Sequence, residues 1–483
     1  MQDQQYIAVD LGAESGRVML ASVTEAGIAL TEMHRFANGP VRVGNVLHWD
    51  ILRLWGEIQT GIGRAVAEAA SNGKTVAGIG VDTWGVDFGL LDNNGELLAN
   101  PIHYRDSRTD GMPEKFFSRM ARERAYGISG IQTMNLNTLF QLCTLAENRP
   151  DTLDRARHLL YIPDLLAYWL CGRIANEYTI ASTSQMLDAL RREYSGEILA
   201  CIPIHPPILP DLVMPGTLLG HVSGSAAEAT QAHGVPVLAV GSHDTASAVA
   251  AVPAGAENWL FLSSGTWSLL GAEIDEPILT PDAMNFNLTN EGGVGGKIRL
   301  LKNIAGLWLL QECRRAWARD GRDFDYRTLV QLAREAPSRG THLDLEDPHM
   351  LAPGDMPMKI MAQCRRMGRK SPETPGEFTR VILESLAATY VRVRDTIEKV
   401  TGKTYTHLHI VGGGSQNELL NQLAADATGL HVLAGPVEAT ALGNVMVQAM
   451  ACGQLESLAA GRELVAKSSM LREFIPHEKS KKS

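Results

Sequence analysis

Trp259-Leu260-Phe261-Leu262-Ser263-Ser264-Gly265-Thr266-Trp267-Ser268-Leu269-Leu270-Gly271-Ala272 reads as a strand, a turn of glycine and hydroxyl residues, and a second strand. The chain opens on the same pattern: residues 6–11 are a short buried strand, 12–16 a tight turn, and 17–23 a second strand with apolar alternation. Two such hairpins predict two domains on one α/β plan, each presenting a hairpin tip to a shared cleft. Around the first, a third strand is expected at 28–35. Asp50 then caps a helix that carries Ile51, Leu54, Trp55, Ile58, Ile62 and Val66 at helical spacing. Strands are expected at 76–82 and 86–91, on either side of Thr83-Trp84-Gly85.

In the middle of the chain, Gly234-Val235-Pro236 opens a strand over 237–240. That strand delivers the polar stretch Gly241-Ser242-His243-Asp244-Thr245-Ala246-Ser247 to the start of a small-residue helix over 246–251. Val252-Pro253-Ala254-Gly255 then reads as a boundary, which divides the chain into domains at 1–251 and 252–475, with a disordered tail at 476–483. Beyond it, Phe378, Ile382, Leu386, Tyr390, Val393, Ile397 and Val400 predict a long amphipathic helix ended by Gly402. A strand at 407–411, the turn Gly412-Gly413-Gly414 and a helix over 417–428 follow. Residues 319–376, rich in Pro, Gly and charge, read as a mobile insertion.

The bulk properties agree with this plan. A chain of 483 residues exceeds one hydrophobic core, so two domains of roughly 200 to 250 residues are the default. A net charge of −10 argues against a nucleic-acid surface, which needs a basic face to neutralise phosphates. The six cysteines show no CxxC and no metal-ligand spacing, which fits free thiols in a reducing compartment. No basic leader precedes the first apolar run and no run is long enough to span a membrane, so the expected location is the cytoplasm.

Four loops could carry chemistry. Gly12 and Gly16 let backbone approach phosphate oxygens, and Ser15 and Arg17 add a hydroxyl and a positive charge; a plain hairpin turn reads equally from the same residues. Asp10 could hold a Mg²⁺ through water, because this ion keeps much of its hydration shell. Ser264-Gly265-Thr266 offers N–H groups and hydroxyls, and Gly412-Gly413-Gly414 places close backbone before a helix start. Asp244 is a candidate proton acceptor for a hydroxyl attacking a phosphate, yet Asp244 or Ser242 could equally cap the helix that begins near Thr245. Trp84 reads as an aromatic wall or a core residue, Arg105, Asp106 and Arg108 as a structural ion-pair loop or a rim to the substrate cleft, and Asn303 and Gln311 as surface amides of a helical pattern.

Several phrases stand together in a recognisable order: Ala8-Val9-Asp10-Leu11-Gly12-Ala13 with Ser15-Gly16-Arg17, Val81-Asp82-Thr83-Trp84-Gly85-Val86-Asp87-Phe88, Tyr104-Arg105-Asp106-Ser107-Arg108-Thr109, and Ser242-His243-Asp244-Thr245-Ala246-Ser247-Ala248. They continue with Leu262-Ser263-Ser264-Gly265-Thr266-Trp267-Ser268-Leu269, Leu301-Lys302-Asn303-Ile304 with Gly306-Leu307-Trp308-Leu309-Leu310-Gln311, and His409-Ile410-Val411-Gly412-Gly413-Gly414. This series resembles the FGGY family of carbohydrate kinases, most closely its members that act on L-rhamnulose. The resemblance implies two ribonuclease-H-like, actin-like ATPase domains facing a central cleft, an N-terminal one for sugar and a C-terminal one for nucleotide. On matching positions it implies ATP contacts from Ala13, Glu14, Ser15, Gly16, Arg17, Thr266, Gln311 and Gly413. Sugar contacts are implied for Gly85, His243, Asp244, Thr245 and Asn303, with Asp244 as general base for phosphorylation of L-rhamnulose at its 1-hydroxyl by ATP with Mg²⁺. Glu14 departs from the small hydroxyl residue of the family pattern, and a carboxylate there would repel phosphate unless it points away. A monomer or small homo-oligomer is expected. A kinase for another ketose, such as fuculose or xylulose, and a non-catalytic sugar or nucleotide sensor on the same fold remain alternatives.

Overall fold

The computed structural model describes residues 3–202, 208–255 and 258–477. It falls into two compact units. One comprises Met1–Pro253, Glu273–Leu300 and Ala439–Ser469; the other comprises Ala254–Ala272, Leu301–Glu438 and Met470–Ser483. The expected disordered tail lies, from residue 478 on, outside the described residues.

The first unit is organised on a sheet whose strands run in the order Leu218–His221, Pro236–Leu238, Val76–Thr83, Gln4–Leu11, Ser15–Thr24, Gly27–Ala37. Gln4–Leu11 sits at its centre, antiparallel to Ser15–Thr24 and parallel to Val76–Thr83. It is buried from Gln5 to Leu11, as expected of a strand covered on both faces. The edge strand Gly27–Ala37 keeps exposed positions such as Ala29, Thr31 and Glu32. Asp50 accepts a hydrogen bond from the Arg53 amide and starts the helix Ile51–Ser71, whose buried face is Ile51, Leu54, Ile58, Ile62, Ala65 and Ala69.

Glycines fix the other side of this sheet. A Cβ at Gly80 would stand 2.5 Å from Asn444 Oδ1 and from Val240 Cγ1, so the bare strand lets helix Ala439–Ala451 pack against it. On the same helix, a Cβ at Gly443 would land on the Ser247 carbonyl oxygen, so Gly443 lets helix Asp244–Ala250 approach closely. The helix that braces the central polar stretch thus comes from near the end of the chain.

The second unit repeats the arrangement. Its part of the second, seven-stranded sheet runs 301–304, 268–272, Trp259–Ser264, His407–Val411, His431–Ala434, Arg472–Phe474. Trp259–Ser264 and Ser268–Ile274 form an antiparallel hairpin, and Trp259–Ser264 pairs in parallel with His407–Val411, as Gln4–Leu11 does with Val76–Thr83. The long amphipathic helix spans Pro375–Thr401, started by Thr374 with Glu377 in its first turn and ended by Gly402 at φ +65°. Its Tyr390 hydroxyl meets the Ser268 hydroxyl at 2.9 Å.

Two local readings are corrected. The strand expected from residue 86 begins only at Phe88, because Val86 adopts φ +68°, which breaks the extended run. Asn303 lies on strand Ile298–Ile304, and Gln311 is a buried residue, 8% exposed, of helix Trp308–Arg319; neither is a surface amide of one continuous helical pattern. Residues 319–376 hold helices Tyr326–Glu335, Pro348–Leu351 and Met356–Arg366, each started by an Asp cap. Among the described residues no helix is long and apolar enough to cross a membrane.

Candidate active site

In the first unit the ends of three neighbouring strands are tied together. The Thr83 amide donates to the Ser242 carbonyl at 2.9 Å, and the Trp84 amide to the Leu11 carbonyl at 3.2 Å. Asp10 stands opposite Arg17 on one side and Asp82 on the other. This edge therefore gathers the first hairpin tip, Gly85 and the stretch containing His243 and Asp244.

Arg17 donates from Nε (2.9 Å) and Nη2 (2.6 Å) to a single oxygen of Asp10. Asp82 is fully buried and accepts from Asn444 Nδ2 at 2.6 Å. Burial and the neighbouring Asp10 carboxylate push its pKa well above the ordinary carboxylate range, against the Asn444 bond. Its second oxygen, Oδ1, has no hydrogen-bond partner among the described residues. Gly16 is needed for packing, since a Cβ there would lie 2.5 Å from Leu11 Cδ2 and still closer to the Phe36 ring.

Asp244 is not a helix cap. The capping position of helix Asp244–Ala250 is His243, with no side-chain cap bond. Ser242 does not cap either; its hydroxyl points to the Val240 carbonyl at 3.5 Å. Side chains from elsewhere hold the amides that lead into this helix: Ser242 N–H donates to Glu177 Oε2 and His243 N–H to the Thr179 hydroxyl, both at 3.2 Å. Asp244, its side chain 30% exposed, accepts from the Thr245 hydroxyl at 3.0 Å, and its Oδ1 lies 3.5 Å from His243 Nε2. Burial raises the Asp244 carboxyl above its usual value, His243 pulls it down, and Asp10 adds to the rise. A carboxylate raised in this way is a better proton acceptor.

His243 is buried, and its Nδ1 lies 3.2 Å from Glu291 Oε2 and 3.1 Å from Arg299 Nη2. A Cβ at Gly85 would stand 3.4 Å from His243 Nε2 and 3.3 Å from the Thr183 hydroxyl, so these three residues share one small space. Glu177 accepts four hydrogen bonds, from the Thr179 amide and hydroxyl, the Ile180 amide and the Ser242 amide. Burial still pushes it up to about 7.

Beside Gly85, the fully enclosed Asp87 accepts from Trp49 Nε1 (2.6 Å), Trp84 Nε1 (3.1 Å), the Tyr104 amide (3.2 Å) and Gln141 Nε2 (3.1 Å). Burial lifts it to about 6. Trp84 packs against Trp49 at 4.0 Å between centroids with the rings tilted by 31°, so its indole is a core residue fixed by Asp87. The strained Val86 is held by Thr138 and Gln141 on its carbonyl and Thr183 on its amide. In the loop over 104–109, Asp106 accepts from the Leu47 and Arg108 amides, and Arg108 Nη2 donates to Gln141 Oε1; hydrogen bonds organise that loop.

In the second unit, Gln311 Nε2 donates to the Thr266 hydroxyl at 3.2 Å. The Thr266 carbonyl accepts from the Trp308 amide at 3.0 Å, so the hairpin tip is bonded to the first turn of helix Trp308–Arg319. A Cβ at Gly412 would lie 3.1 Å from the Ser264 carbonyl oxygen and one at Gly414 would overlap the Ser264 hydroxyl, whereas Gly413 faces open space. Asn303 is half-buried in this unit. Among the described residues no group of three or more His, Cys, Asp or Glu forms a metal cluster. All six cysteines are free.

Glu177, Asp87, Glu291, Arg299 and Asn444 are absent from the candidate residues read off the sequence. Asn444 is 362 positions from Asp82, and no local pattern marks it.

Family models extend over nearly the whole chain: the N-terminal domain of the FGGY family of carbohydrate kinases matches residues 5–251 and its C-terminal domain residues 260–452. The rhamnulokinase of Bacteroides thetaiotaomicron is 44% identical over 98% of this chain and 96% of its own length. That of Pectobacterium atrosepticum is 42% identical, covering 99% and 95%. Gluconate kinase from Lactobacillus acidophilus shares the fold, with a TM-score of 0.77 at 14% identity over 99% of this chain and 94% of that one.

Proposed function

This chain belongs to the FGGY family of carbohydrate kinases, and from that membership we propose that it transfers the γ-phosphoryl group of ATP to the 1-hydroxyl of L-rhamnulose. The relatives that match over nearly the full length are rhamnulokinases, which supports the ketose. The observation that carries the chemistry is the partly open Asp244 carboxylate, raised by burial beside His243 at the sheet edge.

In this reading the 1-hydroxyl gives its proton to Asp244 as its oxygen bonds to the γ-phosphorus, and the bond to the β-phosphate oxygen breaks to release ADP. Gly85, His243, Thr245 and Asn303 contact the sugar. Ala13, Glu14, Ser15, Gly16 and Arg17 on the first hairpin, with Thr266, Gln311 and Gly413, contact ATP. The pairing of Arg17 with Asp10 offsets the Asp10 charge at that hairpin. Residues 1–251 then form the sugar-binding half and 252–475 the nucleotide-binding half.

The donor set fits a Mg²⁺ bound mainly through phosphates and water. Asp10 is paired with Arg17 on the first hairpin, and among the described residues the neighbouring Asp82 keeps one buried oxygen without a hydrogen-bond partner, while no cage of three acidic or imidazole ligands surrounds them. Bound there, Mg²⁺ would supply charge neutralisation at the phosphates. The free thiols fit a reducing cytoplasm.

A coupled ADP-release assay across L-rhamnulose, fuculose and xylulose, with Asp244→Asn alongside, tests this. Release with L-rhamnulose in the wild type and its loss in the variant are expected. Preference for another ketose overturns the substrate, and absence of sugar-dependent release overturns the reaction.

A further inference from the structure

Arg299 is 0% exposed and belongs to the first unit, together with Glu291 and His243. Its Nε donates to the Gly292 carbonyl at 2.9 Å, which anchors the guanidinium, and its Nη2 points at His243 Nδ1 from 3.1 Å and lies 3.3 Å from Glu291 Oε2. A guanidinium has donors only and keeps its charge in proteins. A proton on His243 Nδ1 would set N–H against N–H at that distance, and the buried, anchored arginine has little freedom to move aside. Glu291, within ion-pair distance of both, supplies the negative charge that lets the arginine stay buried.

We infer that Arg299 is a positioning residue that fixes the tautomer of His243, leaving Nδ1 bare and placing the proton on Nε2, where it becomes a hydrogen-bond donor to the sugar. Nε2 is the nitrogen on the side of Asp244 Oδ1 and Gly85. The two adjacent residues then offer opposite hydrogen-bonding character: Asp244 accepts the proton of the reacting hydroxyl, and His243 donates to a second oxygen of the same ketose. With the proton on Nδ1 instead, that N–H would oppose the Arg299 N–H, Nε2 would turn a lone pair toward a sugar oxygen, and the donor would be lost. This assignment of a sugar contact rests on the kinase reading above; the tautomer itself does not.

The test starts from the wild-type chain labelled with ¹⁵N-histidine. The signal of His243 among the 14 histidines is identified by its loss in His243→Asn. One-bond and long-range ¹H–¹⁵N spectra are expected to show a protonated Nε2 and a bare Nδ1; a proton on Nδ1, or on both nitrogens, overturns the inference whether or not any ketose is turned over. In steady-state kinetics Arg299→Met combined with Glu291→Gln, which removes both buried charges together, is expected to raise the ketose KM about tenfold or more with the ATP KM within about twofold. Arg299→Lys, still a donor, is expected to recover part of the loss. A folded double variant with unchanged ketose KM overturns the positioning role. Missing ADP release with a wild-type His243 protonated on Nε2 would instead remove the reaction while leaving the tautomer assignment standing.

Discussion

The two hairpins follow one plan and differ in what surrounds their tips. Each tip closes with a short backbone bond, Gly12 N–H to Ser15 O at 2.9 Å and Gly265 N–H to Trp267 O at 2.8 Å, and each first strand has a parallel partner on its other side. The first tip is backed by charge: Asp10, Arg17 and the buried Asp82, with Asp244 close enough to influence Asp82. The second is met by hydroxyls and amides: Thr266, Gln311, Ser264 and the Gly412-Gly413-Gly414 backbone. The glycines differ too. Gly16 makes room for the Phe36 and Leu11 side chains of its own core, whereas Gly412 and Gly414 let two backbone loops approach each other. The shared plan supplies strand ends at one edge, and the side chains placed there decide whether that edge is acidic and able to take a proton or neutral and rich in N–H donors.

The largest expected effect tests whether the charged edge alone carries the chemistry. Asp244→Asn is expected to lower kcat by about 10²- to 10⁴-fold in the coupled assay, with its melting temperature kept, because a general base contributes on that scale; retained turnover would erase the functional difference between the two tips. Next, Gly414→Ala forces a methyl onto the Ser264 hydroxyl and should cost about 1–3 kcal/mol in urea unfolding and raise the ATP KM, while Gly413→Ala, facing open space, should leave stability near wild type. On the first hairpin, Gly16→Ala should cost a similar amount, and Phe36→Leu in the same chain should recover part of it. Failure of that recovery would mean that Gly16 is not held by packing.

The smallest effect concerns pH. Glu177, at about 7, binds its proton more tightly in the folded chain than an ordinary glutamate does. Between that value and the usual carboxylate range the native state therefore holds more protons than the unfolded one, and this group makes stability rise as pH falls from 7 toward 5. Glu177→Gln is expected to flatten that slope in thermal melts at pH 5, 6 and 7; an unchanged slope would show that the group does not titrate there.

Some of this was legible in the chain and some was not, and the division follows distance along the sequence. The hairpins, the Asp50 and Gly402 helix ends and the loops carrying Gly85, His243 and Asp244 arise from patterns a few residues long, where alternation, caps and glycine turns act locally. Where a local signal had two meanings, contacts distant in sequence chose between them. The Asp-Thr-Ala run suggested a cap, but Glu177 and Thr179, 65 and 64 positions away, take the amides that lead into that helix. The composition of 319–376 did not mark the helices there, which Asp325, Asp347 and Asp355 each start.

By itself the sequence determined the repeated α/β plan, the membership of a sugar-kinase family and the small set of loops from which a site could be built, because strand period, turn chemistry and motif order are properties of short stretches. Only the tertiary structure decided which side chains set the character of that site. The return of Asn444 and Gly443 to the first unit, the seat of Ser242 on Glu177 and the contact of Arg299 with His243 join residues between 56 and 362 positions apart. Their energy lies in desolvated hydrogen bonds and close backbone approach, which exist only once the chain has folded around them.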